Sequence, residues 1–179
     1  MGYQILSFLL DVAAGLLGGA CLLRLYMQWQ RVPFGNPIGR FVFALTDWLI
    51  LPLRRVLPPM GRIDTASLVA AYLVEVLQYA ILWAIVGRGD IVDVLVLALF
   101  GVIRLAISAM TALIIIYAIL SWVQTDSPMA DVVDRLASPL LRPIRRLIPL
   151  VGGIDLSPLV LLVLLQVLAM VVNAIAGGV

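Results

Sequence analysis

Histidine and lysine are absent from this sequence, and cysteine occurs once, at Cys21. Without histidine the chain lacks the commonest general base and metal ligand. Without lysine it has neither a Schiff-base nucleophile nor the lysine of a phosphate-binding loop. A single cysteine excludes an intramolecular disulfide and a CxxC motif, and its small neighbours suit close helix packing better than thiol chemistry. These absences exclude most enzyme classes, so we expect a non-enzymatic protein without a cofactor.

Charge is also scarce, because only 12% of the 179 residues are charged, against about 25% in a typical soluble domain. By contrast, 64% of the residues are hydrophobic. The basic residues are all arginine, and the acidic residues are aspartate except for Glu75. A net charge of +2 is too small for the basic surface of a nucleic-acid-binding protein, so we expect no nucleic-acid partner. The composition instead predicts a protein embedded in lipid.

Four apolar stretches are long enough to cross a membrane, which takes about 20 mostly apolar residues. We predict spans over residues 5–27, 66–86, 91–122 and 158–176. No basic residue precedes the first stretch and Asp11 interrupts it, so it is interpreted as a retained span and not as a cleaved signal peptide. The predicted fold class is therefore an all-α membrane protein with four transmembrane helices.

Arginine is concentrated in the two segments that follow the first and third predicted spans. Residues 31–64 and 124–156 contain nearly all the arginines outside the spans, whereas the turn between the second and third spans contains only Arg88. Loops rich in arginine stay on the cytoplasmic side of a membrane. The distribution therefore predicts a multi-pass protein whose termini both lie on the periplasmic or extracellular side.

The two arginine-rich segments resemble each other at an offset of 91 residues. Residues 52–64 read PLRRVLPPMGRID, and residues 143–155 read PIRRLIPLVGGID. When the alignment is carried into the flanking spans, about a third of the positions are identical, which indicates an internal repeat. We predict two parallel repeats, residues 1–88 and 89–179, each a helical hairpin.

Each arginine-rich segment also contains an amphipathic stretch of about a dozen residues. It begins with Asn36-Pro37 in the first repeat and with Ser127-Pro128 in the second, the pattern of an N-cap followed by proline in the first turn. A dozen residues are too few to cross a bilayer, so we predict helices that lie on the cytoplasmic leaflet. For the more apolar Phe41–Leu51, a re-entrant dip is the alternative.

Capping residues and arginines surround the predicted start of the second helix in each repeat. Asp64, Asp155 and Ser157 are placed to cap the free backbone N–H groups at these helix starts. The neighbouring arginines have three interpretations: topology anchors, ligands of anionic lipid headgroups, or ion-pair partners that clamp each segment to its helix. The arginines concerned are Arg54, Arg55, Arg142, Arg145 and Arg146.

The polar candidates within the predicted spans are Asp11, Arg24, Glu75, Arg104 and Gln166. A charge at the centre of a spanning helix costs about 2.5–3.5 kcal/mol on insertion scales, so we expect each charge to be paired or near an interface. Arg24 is expected to extend toward the nearby boundary. Asp11 and Arg104 are predicted at similar depth and can pair, and Arg24 with Glu75 is a second pairing. Either these groups form an ion or proton path, or they hold the helices together.

The run PLLRPIRRLIPLVGGIDLSP at residues 139–158 resembles the signature of the YggT family, and the first repeat carries a looser copy. In that copy Arg62 replaces the second glycine, and Thr65 stands in a segment without the Ser-Pro cap. The resemblance implies a small protein of the bacterial inner membrane, with YlmG relatives in Gram-positive bacteria, cyanobacteria and plastids. Relatives have been linked to osmotic-stress tolerance and potassium uptake, to cell division and nucleoid organisation, and to maturation of a b-type cytochrome.

Sequence and resemblance together predict a non-enzymatic assembly or organising factor of the envelope that acts in the osmotic-stress response. The alternative is a small oligomeric ion channel or transporter in potassium homeostasis. The expected partners are anionic lipid headgroups, further copies of the chain, and a membrane or cytoplasmic protein that the sequence does not identify.

Overall fold

The structure, a computed structural model, describes residues 1–87, 90–123, 127–148 and 155–177. Within these ranges the chain forms helices and no strands, so the predicted all-α fold class is confirmed. The helices are α1 (Gly2–Trp29), α2 (Pro37–Val56), α3 (Thr65–Val86), α4 (Ile91–Val123), α5 (Pro128–Arg145) and α6 (Ser157–Ala176).

The helices α1, α3, α4 and α6 are long and apolar enough to cross a membrane, and they coincide with the four predicted spans. The chain is therefore built as a multi-pass membrane protein. Only 17–28% of the residues in the most apolar stretch of each helix are buried inside the protein, as expected for helices whose solvent is lipid. At 33 residues α4 is about 50 Å long, which exceeds the roughly 30 Å hydrocarbon core.

Among the spanning helices, α1, α3 and α4 contact one another, and α6 packs on α4. Small residues allow the close approaches. A Cβ atom at Gly18 of α1 would lie 2.6 Å from Cδ2 of Leu105 on α4. Cys21 is buried in a cluster with Ala66 and Ala70 of α3. Packing of this kind, through small residues, is common between helices in membranes.

The helices α2 and α5 are longer than the dozen residues expected, and they include arginines that the sequence pattern assigned to the following loops. α2 has 20 residues and continues through Pro52, and α5 has 18 and continues through Pro139 and Pro143. Proline inside a helix removes a backbone hydrogen bond. The helical state persists because the inward face of each helix is buried, with Ile50 and Leu141 fully enclosed. α2 packs on α1 and α3, and α5 packs on α4 and α6.

Both short helices begin as predicted. The side-chain oxygen of Asn36 accepts a hydrogen bond from the Gly39 N–H at 2.9 Å, and that of Ser127 accepts one from the Ala130 N–H at 3.1 Å. A proline occupies the first turn in both helices. Because α2 is continuous, it contains no chain reversal, which a re-entrant dip requires. The structure therefore favours an interfacial helix over a re-entrant dip for Phe41–Leu51.

The outward faces of α2 and α5 differ in chemistry. The exposed side chains of α2 include four large apolar ones: Phe41, Trp48, Leu51 and Val56. The exposed side chains of α5 are mostly charged: Asp131, Asp134, Arg135, Arg142. Lipid is a good solvent for the first surface, whereas the second requires water or polar partners. We call the end of the bundle that carries α2 and α5 the arginine end.

Candidate functional site

An ion pair between Arg54 of α2 and Asp64 joins α2 to the start of α3. Arg54 also donates a hydrogen bond to Oε1 of Gln28 on α1, at 3.2 Å. Asp64 is fully buried and caps α3, since its carboxylate accepts hydrogen bonds from the Ser67 hydroxyl at 2.6 Å and from the Ser67 N–H at 3.4 Å. Of the three interpretations of these arginines, the structure contains the ion pair at Arg54, and we call these residues the first clamp.

Arg24 of α1 joins the first clamp from the membrane side. Its guanidinium donates to Oγ1 of Thr46 at 2.9 Å and to Oδ1 of Asp47 at 2.7 Å, and its Nε lies 3.9 Å from Oδ2 of Asp64. The ring centroid of Phe43 lies 4.5 Å from its Cζ, within cation–π distance. Only 3% of the Arg24 side chain is exposed, so the expectation that it extends to the boundary is wrong. Because α2 covers Arg24 and supplies its partners, the guanidinium need not reach water.

A second clamp joins α5 to the start of α6. Nε of Arg145 donates to Oδ2 of Asp155 at 2.8 Å, and Nη2 donates to the hydroxyl of Tyr117 on α4 at 2.5 Å. Oδ1 of Asp155 accepts a hydrogen bond from the Ser157 N–H at 2.9 Å. Ser157 is the first residue of α6 and its buried hydroxyl has no hydrogen-bond partner among the described residues, so the prediction that its side chain caps the helix is wrong. Asp155 takes that role, because its carboxylate reaches back to the free N–H.

Both clamp carboxylates are held in their ionised form. Burial alone would raise the pKa of Asp64, but hydrogen bonds from Arg54 and Ser67 outweigh it and lower that pKa below its ordinary value. The pKa of Asp155 is also lowered, since hydrogen bonds from Ser157 and Arg145 outweigh the effect of burial. The pKa of Arg145 is raised, because Asp155 and Tyr117 outweigh burial. Each clamp is therefore a charged pair at neutral pH.

The other three predicted arginines lie outside the clamps. Arg55, Arg142 and Arg146 are exposed, and within the described ranges no carboxylate lies within 4 Å of their nitrogen atoms. Their charge is therefore available to an external anion. Of the arginine candidates, the structure uses Arg54 and Arg145 internally and leaves these three exposed.

A second group of polar side chains lies further along the spanning helices. Glu75 of α3 is buried against Gly101 of α4, and a Cβ atom at position 101 would collide with its carboxylate. Arg104 and Asp11 are the charged groups whose fields act on Glu75. The arrangement places an acid at the interface of α3 and α4, where only glycine leaves room for it.

The predicted pairs among these intramembrane charges are not formed. Asp11 accepts a hydrogen bond from Gln78, and Arg104 donates one to the hydroxyl of Tyr79. No ion pair within 4 Å joins Asp11 to Arg104 in the described part of the chain, and Arg24 pairs with Asp47 instead of an acid on α3. Depth along a helix is readable from sequence, but the rotation of each helix decides which side chains face each other.

Several partners of these charges were missed by reasoning from sequence. They are Phe43, Thr46, Asp47, Gln78, Tyr79 and Tyr117. Of these residues Tyr117 was the most predictable, because the 91-residue offset places it opposite Tyr26, which is the same residue type. The two tyrosines nevertheless bond differently, since the Tyr26 hydroxyl donates to the carbonyl of Leu136 on α5 at 2.8 Å.

The clamp segments and the spans around them match known proteins. The sequence profile of the CCB3/YggT family matches residues 3–85 and 96–176, which together are most of the chain. The chain belongs to the CCB3/YggT family. The resemblance drawn from residues 139–158 is therefore confirmed.

Relatives within the CCB3/YggT family are similar over nearly their whole length. A protein named uncharacterized protein YggT, of Escherichia coli K12, is 44% identical over 167 residues, covering 92% of this chain and 87% of its own. A Vibrio alginolyticus protein, described as an uncharacterized protein in the proC 3′ region, is 38% identical over 176 residues, covering 96% of this chain and 95% of its own. An uncharacterized Pseudomonas aeruginosa protein is 37% identical over 162 residues, covering 87% and 82%. No solved structure gives a significant match.

Proposed function

We propose that this protein is a non-enzymatic assembly factor of the bacterial inner membrane, and that it acts as a self-associating scaffold. The observation that carries the proposal is a polar stripe on the outer face of α6. Gln166 and Asn173 are both exposed there. They are seven residues apart, which is about two helical turns, so they lie on the same face.

The position of this stripe is unusual for a spanning helix. α6 packs on α4 and α5, and the stripe lies outside those contacts. Glu75, which is related to Gln166 by the 91-residue offset, is by contrast buried between α3 and α4. A carboxamide in the hydrocarbon region favours a helix on which it can form hydrogen bonds. The stripe therefore favours contact with a further helix.

A second copy of this chain is the occupant that fits the stripe. A carboxamide has both a donor and an acceptor, so the same side chain on two copies can form a reciprocal hydrogen-bonded pair. A two-fold axis along the membrane normal would place Gln166 and Asn173 each opposite its counterpart at equal depth. Leu159, Val163 and Met170 are exposed on the same face and would pack around the amide pairs.

Self-association in lipid nanodiscs or vesicles tests the proposal. Two labelled pools of the protein should show energy transfer that depends on the protein-to-lipid ratio. The double variant Gln166→Leu, Asn173→Leu should weaken the dimer about tenfold or more, since each interhelical hydrogen bond contributes about 0.6–2 kcal/mol. Leu164→Ala with Val171→Ala, on a different exposed face of α6, is the matched control and should associate like the wild type. Equal association of all three proteins would overturn the proposal.

The location of the scaffold is also part of the proposal. We place the arginine end at the cytoplasmic leaflet, where Arg55 and Arg146 would contact anionic headgroups, and both termini on the periplasmic side. A periplasm-active reporter fused after residue 179 should then be active, whereas activity from a cytoplasmic reporter alone would reverse the orientation. Family resemblance adds an expected role in osmotic stress, and growth of a deletion strain in high-salt medium tests it.

A small ion channel or transporter is the second candidate function, and the burial of Glu75 favours it. An acid enclosed between spanning helices, within the fields of Arg104 and Asp11, is a typical element of an ion path. Reconstituted protein should then conduct potassium across liposomes, and Glu75→Gln should change the flux. Liposomes that stay tight, together with loss of dimers in the α6 variant, would leave the scaffold as the function.

A further inference from the structure

A cleft of about 290 Å³ opens at the arginine end, between the turn that follows α1 and the outer face of α5. Arg31 lines it from the turn, and Arg135 and Arg142 line it from α5. Its volume is near the lower limit for small-molecule sites in proteins. The cleft lies outside both clamps and shares none of their residues.

The electrostatics of the cleft are positive. Asp134 is the carboxylate in its lining, and it accepts a hydrogen bond from the Ser138 hydroxyl at 3.2 Å. In the part of the chain that the structure describes, none of the three arginines has a carboxylate within 4 Å. Arg24, Arg54 and Arg145, by contrast, are each bound to an aspartate. Three guanidinium groups against one carboxylate leave the cleft with an excess of positive charge.

The backbone at Arg31 provides an independent observation. Its φ of 55° is in the left-handed region, and it is the only described residue other than glycine with a positive φ. Arg31 N–H bonds to the Gln28 carbonyl at 3.1 Å and Val32 N–H bonds to the Met27 carbonyl at 2.9 Å, which is the Schellman motif that ends α1. Glycine is the usual residue at this position, because a side chain is strained there. Here an arginine takes the glycine position, and its side chain lines the cleft.

The walls of the cleft are held in place by buried contacts. Val32, next to Arg31, is buried in a cluster with Met27 of α1 and with Val132 and Leu136 of α5. The Tyr26 hydroxyl bonds across the same junction to the Leu136 carbonyl at 2.8 Å. These contacts fix the turn against α5, so the backbone positions that carry the three arginines are set before any ligand arrives. A preformed site loses less entropy on binding.

We propose that this cleft binds a phosphate group through Arg31, Arg135 and Arg142. Guanidinium forks match the oxygens of phosphate and form charge-assisted hydrogen bonds with them. The phosphate belongs either to the headgroup of an anionic phospholipid or to a free phosphate compound. The site would hold one phosphate at the junction of the α1 turn and α5, which are parts of different halves of the chain.

Two binding measurements distinguish the sources. Native mass spectrometry of the detergent-solubilised protein counts bound phosphatidylglycerol, with phosphatidylcholine as the neutral reference. Titration of inorganic phosphate into protein in phosphatidylcholine nanodiscs measures the free ion. Saturable binding of phosphatidylglycerol supports a headgroup, and saturable binding of inorganic phosphate supports a free compound. Saturation by neither probe overturns the proposal.

The most informative variant is Arg31→Gly, because glycine suits the left-handed position and should preserve or raise the melting temperature while removing a ligand. We expect its affinity for the bound probe to fall about tenfold or more, as for the loss of one charge-assisted hydrogen bond. Arg142→Gln should do the same without touching the turn. Arg40→Gln and Arg62→Gln change the same charge at exposed positions outside the cleft and should alter affinity less than twofold. An equal loss in the cleft and control variants would show a general charge effect and overturn the site.

Discussion

Asp64 and Asp155 are related by the 91-residue offset, and each pairs with an arginine ten residues earlier, but their surroundings differ. The Asp64 side chain is fully buried, whereas 31% of the Asp155 side chain is exposed. A second arginine, Arg24, approaches Asp64 from α1, while the position related to Arg24 in the other half is Ile115. The comparison teaches that one motif can support two different degrees of burial when neighbouring helices supply the missing charge.

The physical reason for the second arginine is the cost of burying a carboxylate. A buried charge is tolerated only when its hydrogen bonds and ion pairs replace the lost water. Asp64 has Arg54, Ser67 and the nearby Arg24 for this purpose. Asp155 remains partly exposed to solvent, so it loses less hydration. A single arginine, which is itself bonded to Tyr117, is enough to stabilise its charge.

The largest expected effect is on stability, when each of the two aspartates is replaced in turn. Asp64→Ala should lower the free energy of unfolding by about 3–5 kcal/mol, because it leaves Arg54 without its buried partner and removes the second carboxylate near Arg24, which keeps Asp47. Asp155→Ala should cost about 1 kcal/mol, since that pair is partly exposed. Unfolding in mixed detergent micelles measures both, and Asp131→Ala, which removes an exposed carboxylate outside the clamps, is the control. Equal losses at the two aspartates would refute the difference in burial.

The next effect concerns Glu75, which is buried, whereas Gln166, at the position related to it by the 91-residue offset, is exposed. Gly101→Ala should destabilise the protein by about 1–3 kcal/mol, because the new Cβ collides with the Glu75 carboxylate. Gly15→Ala adds the same atom where nothing lies within 4 Å, and it should be tolerated. In a Glu75→Ala background the cost of Gly101→Ala should shrink, and a cost that stays unchanged would show that the two side chains do not interact.

A smaller and graded effect should appear at low pH. The folded pKa values of Asp64 and Asp155 lie below the ordinary 3.8, so their stabilisation is present above that pH and is lost as the pH falls through the folded values. Melting temperatures of the solubilised protein should therefore drop below pH 3.8. Asp64→Asn should flatten this profile more than Asp155→Asn does. A profile that is steepest above pH 5 would assign acid sensitivity to other groups.

The smallest effect is expected at the N-caps of the two short helices, where the two halves of the chain should lose similar stability. Asn36→Ala and Ser127→Ala each remove the cap of a short helix, and each should cost about 1 kcal/mol. Similar losses are expected because each cap accepts a hydrogen bond from the backbone N–H three residues further along the chain. Circular dichroism during thermal unfolding gives both values. A loss at one cap alone would show that the short helices depend on different contacts.

The spans and the helix starts could be predicted because they depend on local pattern. A run of about 20 apolar residues has few alternatives to a spanning helix. Asn36-Pro37 and Ser127-Pro128 act within one helical turn, and the structure has both caps. The clamp pairs were also among the sequence-based alternatives, because an arginine and an aspartate recur at the same spacing in both segments.

The ends of α2 and α5 and the partners of the charges could not be predicted in the same way. Pro52 would normally end a helix, and only the burial of Ile50 against neighbouring helices sustains α2 past it. The sequence predicts that Arg24 extends to water, because nothing local reveals that α2 folds over it.

Only one residue of the α6 stripe was predicted from the sequence. Gln166 was a candidate and Asn173 was not.

By itself the sequence determined an all-α membrane protein with four spans, its arginine-rich segments, and the residues available for clamps and caps. These features follow from hydrophobic length, from local capping and from spacing along one chain. Only the tertiary structure decided that Arg24 pairs with Asp47, that Glu75 faces Gly101, and that Arg31 and Arg142 share a cleft. The reason is that such contacts depend on how each helix is rotated and where it crosses its neighbours, which is set by packing across the whole bundle.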